Sequence, residues 1–306
     1  MNILFMGTPD IAAAALEAIL DAGHTVCGVY TRADKPVGRK QVLTAPPVKR
    51  TALAHGIPVF QPGTLRDAAQ AENIRALAPE LIVVVAYGRI LPEDILAAPK
   101  LGSINVHSSL LPKYRGAAPI NWAVLNGDAV TGVTIMYMAK ELDAGDIISA
   151  AETPIDPDED ALTLTNRLAE LGAETLSRTV QALNDGTAGR TRQDESAVTF
   201  APMLSRELSP MDFTRPARSL HDQVRGLQPW PCAVTELSGA TVKVYRTAVG
   251  GAVKAAPGTI VRADKTGIEI ACGDGLTLRI LELQPQNGKR MAVASYLAGH
   301  PVQVTV

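Results

Sequence analysis

"ELIVVVA", Glu80–Ala86, sets six apolar residues in a row behind a single acid. A short unbroken run rich in β-branched residues, without polar alternation, predicts a strand covered on both faces, the habit of parallel sheets. The neighbouring segments supply the cover. On the N-terminal side lie "NILFMG" (strand), "DIAAAALEAILDAG" (helix, Asp10 as cap and Gly23 as stop), "TVCGVYT" (strand), "PVKRTALAHG" (short helix), "IPVF" (short strand) and "LRDAAQAENIRALA" (helix). On the C-terminal side lie "PEDILAA" (short helix), "GSINVH" (strand), "APINWAVLNG" (helix), then the strands "TGVTIMYM" and "IISAAETPI". Leu164, Leu168, Leu171, Leu176, Val180 and Leu183 form the apolar stripe of a long final helix. This alternation predicts an α/β fold, a doubly wound and mostly parallel sheet that closes near Gly186.

After about residue 206 the texture changes. "CAVTEL", "TVKVYRTAV", "GTIVRAD", "GIEIACGDG" and "LTLRILELQP" are short strands punctuated by turns, which predicts a small β-barrel or sandwich behind one short helix. The boundaries drawn from this change are a first domain over 1–189, a linker over 190–206 and a second domain over 207–306.

Hydrophobic residues make up 46% of the 306, enough for a sizeable core. A net charge of −2 excludes a globally basic nucleic-acid binder. Residues 207–306 carry 11 Lys/Arg against 8 Asp/Glu, so a basic face there is open, as is ordinary solvated surface. Cys27, Cys232 and Cys272 are too far apart for a disulfide framework or thiolate cluster, and the five histidines form no ligand motif. The expected setting is cytoplasmic, without a signal peptide, membrane span or metal.

The first strand–turn–helix reads Gly7-Thr8-Pro9-Asp10, not G-x-G-x-x-G. Pro9 stands where a second glycine would let backbone approach a pyrophosphate, which argues against a nicotinamide or flavin site. Asn105 and His107 are more informative. Residues i and i+2 of a strand face the same way, and both stand at the strand's C-terminal end, where open α/β sheets place ligands. A carboxamide and an imidazole side by side suit the activation of one carbonyl, and they equally suit a satisfied polar edge of the core. "KELDAGDI" brings Asp143 and Asp146 into a glycine-containing turn; a carboxylate there either orients the imidazole or is an exposed acidic turn. "TRADKPVGRKQVLTAPPVKR", Thr31–Arg50, sets Arg32, Lys35, Arg39, Lys40, Lys49 and Arg50 against Asp34 alone. This basic connection suits a phosphate backbone or is simply solvated.

"GTPD" (7–10), "DKPVGR" (34–39), "VVVAYGRILP" (83–92), "INVHSSLLPKYRGAAPI" (104–120), "LDAGD" (142–146), "DESAVTFAPML" (194–204), "LQPWP" (227–231) and "GDGLTLRILELQP" (273–285) together resemble the methionyl-tRNA formyltransferases, within the folate-dependent formyltransferase superfamily. The resemblance runs over nearly the whole chain. It implies a Rossmann-like catalytic domain, an OB-like β-barrel that binds tRNA, and formyl transfer from 10-formyltetrahydrofolate to initiator methionyl-tRNA. It implies no DNA and no membrane partner, and a monomer. It places catalysis on Asn105, His107 and Asp143. Folate contacts fall on Ala86, Tyr87, Gly88, Arg89 and Ile90 and on the wall Ser108, Ser109, Leu110, Leu111 and Pro112. Acceptor contacts fall on Arg32, Lys35, Arg39, Lys40, Arg115, Lys243 and Arg246. The chain departs from the family at Ile11, where Phe is common, and at Lys40, Ser108 and Glu141, where Gly is common. None of these removes a catalytic group. Folate formyltransferases of small amines would share Asn105, His107 and Asp143 and would not need the basic connection or the β-rich half in this form. A formyl-folate hydrolase is a further rival, since water could replace the amine; a catalytically silent tRNA-binding protein would need only the basic surfaces, and the intact catalytic residues argue against it.

Overall fold

The computed structural model describes residues 1–38 and 40–305. Two compact units divide the chain. The first is Met1–Gly116, Thr131–Thr153 and Thr165–Phe200; the second is Ala117–Val130, Pro154–Leu164 and Ala201–Val306. Two short segments from within the first 189 residues therefore count with the β-rich half.

A seven-stranded sheet organises the first unit. Its spatial order is Ile147–Pro154, Val130–Tyr137, Ser103–His107, Leu81–Val85, Asn2–Gly7, Thr25–Tyr30, Val59–Phe60. The run from Ser103–His107 to Val59–Phe60 is parallel throughout. Leu81–Val85 lies within it, and its five side chains are buried, as an unbroken apolar run requires. Val130–Tyr137 is the exception: it pairs antiparallel with Ser103–His107, His107 opposite Thr134 and Ile104 opposite Tyr137. The mostly parallel sheet read from the alternation is therefore present, with a reversed strand beside Ser103–His107.

The first helix, Asp10–Asp21, begins one residue earlier than the capping reading allows. Pro9 holds the cap position with extended backbone, and Asp10 is the first helical residue, where its charge complements the helix N-terminus. The final helix, Ala161–Asn184, buries Leu164, Leu168, Leu176, Val180 and Leu183; Leu171 is half-buried. Gly172 faces Val106 and Val133, where a Cβ would make only ordinary van der Waals contact with both side chains. The connection after Thr31, expected without regular structure, contains an exposed antiparallel hairpin of Lys35–Val37 with Val42–Thr44.

In the second unit an antiparallel sheet runs in the order Ala233–Leu237, Ala240–Ala252, Leu276–Pro285, Gly267–Ala271, Ile260–Asp264, and Met291–Ala292 pairs with Leu276–Pro285. Val242 and Val244, Ile268 and Ile270, Ile280 and Leu283 supply its buried core. Val242 and Val244, and Ile268 and Ile270, are two residues apart, as one buried face of a strand requires. Helix Ala217–Gly226 carries a buried ion pair: Arg225 Nε meets Asp222 Oδ1 at 2.9 Å, and Arg225 also donates to the carbonyls of Asp156 and Glu159.

Leu168 is fully buried. Leu168→Ala is expected to lower unfolding stability by about 2–5 kcal/mol through lost burial and the cavity left behind, read from the midpoint of a denaturant titration.

Candidate functional site

Asn105 and His107 leave the same face of the strand Ser103–His107, beside the end of Leu81–Val85. Asn105 is half-buried, and among the described residues its carboxamide makes no side-chain hydrogen bond. A carboxamide at the mouth of a parallel sheet, with its donors uncommitted, is available to a ligand oxygen. His107 is 5% exposed. Its Nε2 lies 2.9 Å from the Tyr114 carbonyl, and a carbonyl only accepts, so Nε2 carries a hydrogen. Its Nδ1 faces Asp143 Oδ2 at 3.7 Å, an ion-pair distance rather than a hydrogen bond. The ring is thus gripped on one side by a carbonyl and on the other by a carboxylate, which fixes its orientation.

The Asp143 carboxylate is itself held: Oδ2 accepts the Gly116 backbone N–H at 2.8 Å. Asp143 has a left-handed backbone, φ +50°. Gly145 next to it cannot be anything larger, because a Cβ would sit 1.7 Å from the Tyr137 carbonyl oxygen. Asp146, the second acid of the turn, points to Arg190, not to the imidazole. The structure therefore brings Asn105, His107 and Asp143 together and leaves Asp146 out.

The loop after Leu81–Val85 is built from backbone. Ala86 and Gly88 have positive φ and are exposed, and Ile90 is 81% exposed. The loop is tied from behind by Thr8 and Arg32, which donate to the carbonyls of Tyr87 and Gly88, and by Arg89, which donates to that of Pro62. Tyr87 is buried, its ring part of the core. The wall 108–112 divides similarly. Ser109 and Leu111 are buried: Ser109 Oγ donates to the Lys113 carbonyl, and Thr134 Oγ1 joins the Ser109 carbonyl to the Leu111 amide. Ser108, Leu110 and Pro112 are half-buried. A flat, partly apolar ligand with hydrogen-bonding edges fits such a strand-end loop, which offers main-chain donors and acceptors beside an exposed aliphatic side chain.

The expected basic contacts separate into three groups. Lys35 and Lys40 are exposed on the hairpin, and Arg32 is half-buried at its base; Arg39 lies outside the described residues. The base is braced by Lys49, which donates to Asp34 and Gln61; the bonds that Lys49 and Gln61 donate to Asp34 hold its carboxyl below the usual carboxylate range. Lys243 and Arg246 are exposed on the second unit's long strand. Arg115 is different. It is 5% exposed, and its guanidinium is spent on the Gln193 carbonyl oxygen and the Glu195 carboxylate, so it braces the site from within and presents no free charge to an acceptor. Gln193 was not among the candidates. Its segment, "RTRQDES", carries no periodicity, and nothing in it marks a residue that turns inward.

The second unit also encloses a cavity of about 380 Å³ near His221, Arg225, Gln228, Tyr245, Arg246 and Arg290. Its polar walls are engaged with one another: His221 bridges Thr247 and the Pro157 carbonyl, and Arg290 pairs with Glu282 and covers the Tyr245 ring. Among the described residues no group of three or more His, Cys, Asp or Glu is placed to hold a metal ion, and no helix is long and apolar enough to cross a membrane.

The pattern of the Formyl transferase family matches residues 1–180, and that of its C-terminal domain matches residues 203–301. The methionyl-tRNA formyltransferase of Trichlorobacter lovleyi is 49% identical over 98% of this chain and 95% of its own length. That of Bacillus licheniformis is 46% identical over 99% and 96%. Among solved structures, the sugar 3N-formyltransferase WlaRD, determined with dTDP and 5-N-formyltetrahydrofolate, superposes with a TM-score of 0.69 at 19% identity, covering 94% of this chain and 99% of that one. HypX of Aquifex aeolicus in complex with tetrahydrofolic acid superposes with a TM-score of 0.66 at 17% identity, covering 96% of this chain and 46% of HypX. At these identities the two structures speak for the fold alone.

Gly145→Ala is expected to push the 143–145 turn off Tyr137 and break the bond from the Gly116 N–H to Asp143. Hydrogen-exchange protection of the Gly116 amide should fall by on the order of tenfold to a hundredfold, the worth of one hydrogen bond to a charged group.

Proposed function

The chain belongs to the methionyl-tRNA formyltransferase family, and from that membership we propose how its own residues carry out the transfer. The reaction moves the formyl group of 10-formyltetrahydrofolate to the α-amino group of initiator methionyl-tRNA. The donor supplies an activated N-formyl group. The loop 86–90 and the wall 108–112 hold its ring system through main-chain groups, with Ile90 and Leu110 as apolar contacts. Asn105 donates its amide N–H to the formyl oxygen as the amine attacks and charge collects there. His107, gripped between the Tyr114 carbonyl and Asp143, stands beside Asn105 on the same strand face as the polar wall of the reacting centre. Asp143 keeps the imidazole in place and accepts the proton shed by the amine through water; collapse of the tetrahedral adduct then breaks the bond from the formyl carbon to the folate nitrogen, and that proton, returned through water, leaves on the tetrahydrofolate nitrogen. An α-amine has a pKa near ~8, so a useful share is neutral at pH 7–8 without a dedicated strong base. The observation that carries this reading is the uncommitted Asn105 carboxamide on the same strand face as a histidine held by a carboxylate.

Asn105→Ala is expected to lower kcat by about 10²–10³-fold while leaving methionyl-tRNA affinity nearly unchanged, because the lost donor acts on developing charge. Steady-state kinetics with 10-formyltetrahydrofolate and Met-tRNA checks this; near-normal turnover would remove Asn105 from the mechanism.

The exposed basic hairpin is the acceptor's handle in this reading. Arg39→Ala and Lys40→Ala should each weaken tRNA affinity, more so at low salt, and spare folate affinity. Binding titrations with each substrate decide it, and a defect confined to folate would assign the hairpin elsewhere.

A further inference from the structure

We propose that Gln193 is a positioning residue for formyl transfer, holding the Asp143 turn against His107 from the stretch that follows the long helix. The inference rests on the catalytic reading of His107 and Asp143 given above. Gln193 is 4% exposed, and its Nε2 donates at 2.8 Å to two carbonyls of the turn, those of Asp143 and Gly145. Both amide hydrogens are therefore used on the catalytic turn. Its Oε1 accepts from Arg115 Nε at 3.1 Å and Nη2 at 2.8 Å. The orientation of the carboxamide follows from chemistry: a guanidinium only donates and carbonyls only accept, so oxygen must face Arg115 and nitrogen must face the turn.

The turn needs such a clamp. Asp143 adopts a left-handed conformation that costs a residue with a Cβ on the order of 1–2 kcal/mol. Its carboxylate is held by one backbone amide, that of Gly116, among the described residues, and it stands 3.7 Å from the imidazole with no direct bond to fix that distance. Gln193 pins the backbone on both sides of Ala144, and Arg115 pins Gln193. Arg115 is anchored in turn: its amide donates to the Thr199 carbonyl, the Tyr114 amide donates to Thr199 Oγ1, and its guanidinium pairs with Glu195, whose carboxyl this contact holds below the usual range. Tyr114 also supplies the carbonyl that grips His107 Nε2. Residues 193–199 thus reach both flanks of the imidazole, through Gln193 to Asp143 and through Thr199 to Tyr114.

A residue that acts through Asp143 should lose its effect once Asp143 is gone, and this separates positioning from a merely structural role. The experiment compares Gln193→Met, Asp143→Asn and the double variant, with kcat and KM for both substrates and the pH profile of kcat/KM. Gln193→Met is expected to lower kcat by about 10–100-fold, to leave both KM values within about twofold, and to move the pH profile toward that of Asp143→Asn. Added to Asp143→Asn, it should cost less than about twofold more. Full turnover of Gln193→Met beside an inactive Asp143→Asn would overturn this inference alone, as would losses that multiply in the double variant. Full turnover of Asp143→Asn would overturn the catalytic reading and this inference with it. Should Gln193→Met lack native circular dichroism, Gln193→Glu keeps the side-chain length and the Arg115 contact but removes the amide donor, and carries the same comparison.

Discussion

Asp143 stands 3.7 Å from His107, although the strand leading into its turn ends at the wrong end of the sheet for such a meeting. Val130–Tyr137 runs antiparallel to Ser103–His107, so Tyr137 lies opposite Ile104 while His107 is opposite Thr134. The turn has to climb back along the strand to reach the imidazole. Gly145 makes the climb possible by packing against the Tyr137 carbonyl without a side chain, and the left-handed backbone of Asp143 aims its carboxylate. Both features cost conformational freedom, and the rest of the site supplies hydrogen bonds that hold them in place.

Those bonds share a logic. Three buried polar groups are each met by two or more partners. The imidazole has a carbonyl and a carboxylate; Arg115 has a carboxamide oxygen and Glu195; Arg225, in the second unit, has Asp222 and two carbonyls. Such pairs add little net stability over an apolar core but penalise any arrangement that separates them, so they select one geometry. At the mouth of the sheet the logic is reversed once: the Asn105 carboxamide is left without a partner among the described residues, where a ligand oxygen can take it.

Much of this was legible in the residues. The period of two put Asn105 and His107 on one face, and the unbroken run 81–85 made the neighbouring strand a buried parallel one. Placing Asp143 beside them from the sequence assumed a parallel strand ahead of its turn; the meeting occurs, by the longer route that a reversed strand demands. The resemblance places Arg115 among the acceptor contacts. Burial of its guanidinium depends on Gln193 and Glu195, some eighty residues away, and no local pattern reports that. The hairpin in the basic connection was hidden because Pro36 and Gly38 read as loop residues, and three-residue exposed strands carry no apolar alternation.

By itself the sequence determined the main strands and helices of the sheet, the α/β and β-rich halves, the strand-end position of the carboxamide–imidazole pair and, through its resemblance, the family. These depend on short-range periodicity and on residue types that survive being read one at a time. Tertiary structure decided which acid meets the imidazole, which of the basic residues face inward, and that a glutamine beyond the long helix fastens the turn of Asp143. Those outcomes turn on hydrogen bonds between residues 27 or more positions apart, whose donors and acceptors match only once the chain has folded.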